Sequence, residues 1–310
     1  LGLSAPPGAL KTLITPLQNR WNALPANVRG AGFVVVGAFI LIVMASLVKH
    51  LGQRLPAFEV LFARFLAGLL VILPVVWKVG FGVLKTTKLH LHATRSFVGF
   101  FGNLCFFFAL VNMAIGDTVT IQFSRPILMV GIALFVLREK VGWRRALVAV
   151  VGFSGVIMIT RPFGEGFEPW AIVALGGTFF GTLVVLSIKL LSRTENTLTI
   201  MAYTGIFTTL FSFIPALFVW VTPTWEEVAL LALTGALGMI GQSMFTHGVG
   251  LGDTSFVMPF DYLRIVYSFV LGFVFFAELP GAWSFIGAAV IIVSSIYLVR
   301  TESQKRDTSG

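Results

Sequence analysis

The chain has 310 residues, of which 57% are hydrophobic and only 11% charged, with a mean hydropathy of +0.93; an ordinary soluble domain is about 25% charged, so no soluble core could hide this much apolar surface. The formal net charge of +9 would suit nucleic acid, but the basic residues fall between hydrophobic runs rather than in one soluble patch, which excludes that partner. The lone cysteine, Cys105, lies inside an apolar run and reads as a packed small residue, which excludes a disulfide framework and a cysteine-rich metal site.

Residues 1–29 are broken by Pro6, Pro7, Pro16 and Pro25 and lack the apolar run and cleavage site of a secretory signal. They read as a tail on the cytoplasmic membrane surface. Ten apolar runs follow, each long enough to cross a bilayer as a helix of roughly 20 residues. They cover 30–50, 58–77, 93–113, 117–137, 143–160, 169–191, 198–221, 226–250, 254–277 and 281–299, and residues 301–310 form a second tail. An even number of crossings puts both termini on one side. The tails and loops of that side hold sixteen Lys and Arg, among them Lys78, Lys85, Lys88 and Arg95 before the third span. The other side holds three, Lys49, Arg54 and Arg161. Such an excess marks the cytoplasmic face, so both termini are expected in the cytoplasm.

The two halves echo each other. Gly99, Gly102, Gly116, Asp117 and Thr118 recur 136 residues later as Gly235, Gly238, Gly252, Asp253 and Thr254, and Pro74 recurs 141 later as Pro215. Five spans per half is an odd number, so the second half must enter the membrane in the opposite sense, the inverted-repeat plan of many secondary transporters. The expected fold is therefore an all-α membrane protein of ten helices in two inverted five-helix repeats, 30–162 and 163–300.

Three arginines fall inside spans: Arg64 in the second, Arg125 in the fourth and Arg264 in the ninth. A charge at the bilayer centre costs at least about 2.5–3.5 kcal/mol, so such residues face a cavity or a partner; Arg64, nearer its helix end, has snorkelling to the interface as an anchor for its alternative. Asp261 lies one turn before Arg264 and is also the 136-residue mate of Arg125. It can pair with Arg264 along one helix face or with Arg125 across the repeat axis. Either arrangement leaves surplus positive charge, which suits a carboxylate or phosphate gripped by a guanidinium. Gln122, one turn before Arg125, with Asn103 and Gln242, adds amides at similar depth that either bind substrate or join helices. The candidate binding residues are thus Arg64, Asn103, Gln122, Arg125, Gln242, Asp261 and Arg264.

Other polar residues have simpler readings. Asp117 and Asp253 precede helices and read as N-caps, while Glu139 and Glu278 end spans and read as interfacial. Gly99 with Gly102, the Gly235, Gly238, Gly241 series and the Gly177, Gly181 pair form small-residue stripes for helix packing. His247 alone supports neither a metal site nor a proton relay. No HExxH or GxSxG is present and the four His are scattered, so an intramembrane enzyme, a metal centre and a cofactor are not expected.

Two stretches, GDTVTIQFSRPILMVGIALFVLREKVGWRRALVAVVGFSGVIMITRP in the first half and GDTSFVMPF with FVFFAELPGAWSFIGAAVIIV in the second, resemble the drug/metabolite transporter superfamily, in its EamA branch of ten-helix carriers. The RPILM at Arg125 and RSFVGFFGN at Arg95 look like a bacterial subgroup that includes S-adenosylmethionine uptake carriers and relatives of eukaryotic organic-anion carriers. The resemblance implies a multi-pass protein of the bacterial inner membrane that works by alternating access, without ATP, around a cavity lined by both halves. The expected cargo is a small organic anion or zwitterion bearing a carboxylate, or an amphoteric metabolite such as S-adenosylmethionine or an amino acid. Coupling to a proton or counter-substrate would use Asp261, Glu139 or Glu278, and a monomer and a homodimer both fit. A lipid-handling or purely structural membrane protein would have no need of three arginines within its spans.

Overall fold

The computed structural model describes residues 21, 23–135, 143–161, 168–191, 194–251 and 254–307, and every regular element among them is helical. In chain order these are α1 (Ala26–Leu51), α2 (Ala57–Val79), α3 (Leu89–Asn112), α4 (Ile115–Gln122), α5 (Arg125–Phe135) and α6 (Trp143–Thr160). The second half holds α7 (Trp170–Leu191), α8 (Thr197–Phe218), α9 (Trp225–Leu251), α10 (Thr254–Val257), α11 (Leu263–Phe276) and α12 (Ala282–Asp307). Short 3-10 turns lie at Phe81–Leu84 and Met258–Tyr262.

Seven segments among the described residues are long and apolar enough to cross a bilayer by themselves: α1, α2, α3, Trp170–Ile188 of α7, α8, α9, and Met258–Phe276. Shorter apolar stretches, Ala146–Thr160 and Ala282–Ser294, occupy the fifth and tenth runs. The fourth run does not form the single helix expected of it. It breaks after Gln122, passes Phe123 and Ser124, and restarts at Arg125. The ninth run breaks at the matching place, with α10 ending at Val257 and α11 starting at Leu263. A shift of 136 residues carries 122–125 onto 258–261, so the two breaks are repeat mates. A proline sits at each break: Pro126 and Pro259 lack the amide that would continue the helical ladder, and their rings crowd the preceding turn.

The packing obeys the same exchange of halves. The first span packs on the eighth (α1 on α9) and the sixth on the third (α7 on α3); the second packs on the eighth and the seventh on the third. The second and seventh spans meet each other, as do the fifth and tenth (α6 on α12). Each pairing maps onto another, or onto itself, when the halves are swapped.

The last of these contacts brings backbone onto backbone from both sides. A Cβ added to Gly155 would stand 2.7 Å from the carbonyl oxygen of Gly287, and one added to Gly287 would stand 2.6 Å from that of Gly155. Backbone touches backbone there, which is the use of glycine in membrane helices, where dispersion between closely approaching chains replaces the hydrophobic drive.

Two apolar clusters fill the interior. One centres on Ile42, Leu61, Phe107, Leu110 and Ile265, the other on Ile121, Ile127, Val156 and Ile291. Outside, Trp77, Trp143, Trp220, Trp225 and Trp283 are exposed at or beside helix ends, as in the aromatic belts that sit at both faces of a bilayer. Many Ser and Thr in the spans donate to a carbonyl one turn back, as Ser46 does to Ile42 at 3.0 Å and Thr178 to Ala174 at 2.8 Å. These hydroxyls are satisfied within their own helices.

Candidate functional site

The break in the ninth run sets two opposite charges face to face. Arg264 Nη2 lies 2.7 Å from Asp261 Oδ1, and both side chains are mostly buried. Arg264 also lies over the ring of Phe245 on α9, 5.4 Å from its centroid. Of the two pairings open in the sequence, the contact is thus the one along the helix. Arg125, first residue of α5, makes no ion pair among the described residues, yet it is within electrostatic reach of both Asp261 and Arg264. The three groups form one cluster carrying two positive charges and one negative, built from the two breaks. Phe123 and Tyr262, one from each break, stack with centroids 5.0 Å apart and lock the breaks together.

Gln122 accepts from Arg125 Nη2 at 3.4 Å. The guanidinium lies against Gly181 of α7, where a Cβ would stand 3.4 Å from Nε. Arg64 is held differently. Its Nη1 donates to Asn103 Oδ1 at 3.4 Å, and Asn103 is itself fixed by donating to Gly99 O at 2.8 Å. The guanidinium lies over the rings of Phe65 and Phe107, 5.1 and 5.4 Å from their centroids, a favourable setting for a cation. Its nitrogens lie against Gly238, where a Cβ would stand 3.3 Å from Nη2. Two of the glycines read as packing stripes therefore also leave room for arginines. Gln242 is not drawn into either group: it is exposed and its amide faces Thr246 at 3.5 Å.

Several polar residues sit otherwise than their sequence context suggests. Asp117 does not cap its helix. Ala114 holds the N-cap position and Asp117 lies within the first turn, accepting from Ser284 Oγ of α12 at 3.1 Å. The cap comes instead from the other half: Glu278 accepts from the Ile115 amide at 2.8 Å. The same carboxylate forms an ion pair with Lys49, whose Nζ donates to Met113 O at 2.6 Å. Lys49, counted above as a loop residue, is thus inside α1 and 6% exposed. Ala277, left-handed at φ 53°, turns Glu278 back toward Gly272 at the end of α11. Arg95, also counted in a loop, is buried in α3 and donates to Thr204 of α8. Glu139 and Asp253 lie outside the described residues. No group of three His, Cys, Asp or Glu able to hold a metal occurs among the described residues.

Residues 28–161 and 168–300 each match the EamA-like transporter family. The chain belongs to that family. This EamA-like protein is a multi-pass inner-membrane transporter, not an enzyme. It is 30% identical to an S-adenosylmethionine uptake transporter of Rickettsia bellii, over 87% of this chain and 94% of that one. A riboflavin transporter of Vibrio cholerae is 26% identical, over 89% of this chain and 95% of its own. A pseudopaline exporter of Pseudomonas aeruginosa is 27% identical, over 88% and 96%. A solved crystal structure shares the fold with a TM-score of 0.58 at 18% identity, covering 86% of this chain and 97% of its own. These relatives are named for metabolites, which makes the EamA-like protein a metabolite transporter.

Proposed function

We propose that this EamA-like protein is a secondary carrier that moves a small carboxylate-bearing anion or zwitterion by alternating access, with both termini in the cytoplasm. The observation that carries the reading is the cluster of Arg125, Asp261 and Arg264 at the paired breaks of the fourth and ninth runs. Interrupted spans free backbone groups near mid-membrane, and the start of α5 adds the positive end of a helix dipole to the positive surplus. Arg125 and Arg264 bind the carboxylate. Asp261 holds Arg264 and balances part of its charge. Arg64, set in its aromatic bed with Asn103, is a second cation for the same cavity, and it has no charged partner among the described residues.

A second reading within this class is an amphoteric cargo, whose cationic group would take the place of one arginine beside Asp261. It is favoured by the similarity to S-adenosylmethionine uptake transporters over most of the chain.

Uptake of labelled compounds into proteoliposomes tests both. Carboxylates should be transported by the wild type and lost in Arg125→Ala and Arg264→Ala, while an amphoteric cargo should also be lost in Asp261→Asn. Full carboxylate transport in both alanine variants would overturn the assignment.

A further inference from the structure

One turn of α3 carries three buried polar side chains that the packing leaves largely without partners. His92 and Ser96 are each 1% exposed and Arg95 is 9% exposed. Both ring nitrogens of His92, Oγ of Ser96 and Nε of Arg95 have no hydrogen-bond partner. The spacing i, i+3, i+4 sets all three on one face of the helix. Opposite them is α8, where Thr204 Oγ1 accepts from Arg95 Nη1 and donates onward to Ile200 O at 2.6 Å. The His92 ring lies on Tyr203 with centroids 4.7 Å apart, and the Tyr203 hydroxyl is tied to Leu84 O at 2.7 Å. Glu195, whose charge acts on His92, is engaged by Thr86 Oγ1 at 2.7 Å. No carboxylate among the described residues forms an ion pair with Arg95.

Buried polar atoms in native proteins nearly always have a partner, and a buried guanidinium without a counter-charge is among the costliest arrangements. The open valences here are mostly donors: an arginine N–H, the N–H of a neutral imidazole and a serine O–H. They call for an acceptor with negative charge. Asn103, which touches Arg64, lies eight residues further along α3, about 12 Å at the helical rise.

We propose that Arg95, with His92, Ser96 and Thr204, forms a second binding site for a carboxylate or phosphate group, placed between the cytoplasmic end of α3 and the central arginines. Its place on the cargo's route rests on the carrier reading above; the site itself does not. A carboxylate held here is handed along α3 from one cation to the next, so no step leaves it unpaired in the low-dielectric interior.

The test needs no known cargo. Thr204→Cys is made in a Cys105→Ser background and the full chain is placed in neutral phosphatidylcholine nanodiscs. Its reaction with an anionic methanethiosulfonate (the ethylsulfonate) is compared with that of a cationic one (the ethyltrimethylammonium). The anionic reagent should react about tenfold faster relative to its rate with free thiol, as expected for a focused positive potential. The preference should disappear with Arg95→Ala and survive Arg95→Lys, and inorganic phosphate should slow the anionic reagent. A thiol that reacts with neither reagent until the protein is unfolded would overturn the site, as would a preference indifferent to Arg95. Slowing by added phosphatidylglycerol but not by inorganic phosphate would keep the site and overturn its place on the cargo route. None of these outcomes bears on the loss of transport in Arg125→Ala and Arg264→Ala, so the two proposals fail separately.

Discussion

Asp261 Oδ1 stands 2.7 Å from Arg264 Nη2 in the broken ninth run, with Arg125 in electrostatic reach of both. The carboxylate is the only negative charge of the cluster, so removing it is worse than removing either cation. Asp261→Asn leaves two arginines facing each other and is expected to cost about 3–5 kcal/mol, the range for stranding a buried charge. Arg264→Gln leaves Asp261 with Arg125 and is expected to cost less. The double variant Asp261→Asn, Arg264→Gln should recover most of the stability lost in Asp261→Asn. Thermal unfolding of the purified protein in detergent ranks the three, and equal losses in both single variants would remove Arg125 from the cluster.

The tie between Lys49 and Glu278 joins the first span to the end of the ninth, and Glu278 also caps α4. Glu278→Ala should therefore be more destabilising than Lys49→Met, because it removes the cap as well as the ion pair. A double-mutant cycle between them is expected to give a coupling of about 1–3 kcal/mol, typical of residues in one network. Additive losses would mean that the pair is not coupled.

Glycines of equal helical context should respond oppositely to alanine. Gly155→Ala and Gly287→Ala drive a methyl group into the facing carbonyl and should cost about 1–3 kcal/mol as overpacked sites. Gly131 and Gly176 have nothing within 4 Å of an added Cβ. Alanine there should be neutral or stabilising by about 0.5–1 kcal/mol through the better helix former. Chromatographic monodispersity and unfolding temperature read both effects.

Gly181 and Gly238 accommodate the guanidinium groups of Arg125 and Arg64. Leucine at either position displaces the arginine without removing its charge. Transport in proteoliposomes should then show a raised KM in Gly181→Leu, with expression and folding near those of the wild type. An unchanged KM would show that the setting of Arg125 does not matter to binding.

Much of this architecture is legible in the amino-acid order, because the bilayer imposes strong rules. Apolar runs marked most helices to within a few residues, although α12 runs on to Asp307, eight residues past the tenth run and into the expected tail, and the echo of Gly116, Asp117 and Thr118 marked the two halves. Proline signalled the breaks too, yet the apolar patterns around Pro126 and Pro259 continue without a gap and read as single spans. Lys49 and Arg95 escaped because a lone cation near the end of an apolar run looks like a loop residue. Only packing distinguishes a side chain that snorkels outward from one that turns inward to Glu278 or Thr204. The cap on α4 was invisible for a simpler reason: the carboxylate that supplies it is 163 residues away, while the local Asp117 made the expected signature. Arg125, Arg264 and Asp261 were identifiable as a group because no other charges lie so deep in their spans, but the contact among them depended on how the ninth run bends.

The Gly155 and Gly287 contact has a mechanical consequence. With no side chains between the two backbones, α6 and α12 cannot slide past each other there without collision, but they can tilt about the point where they touch. Because the fifth and tenth spans map onto each other when the halves are exchanged, the crossing joins matching elements of the two repeats. In the carrier proposed above the crossing would serve as a fulcrum: a small change of angle there becomes a large displacement at the far ends of the levers, where the openings to either side of the membrane would lie.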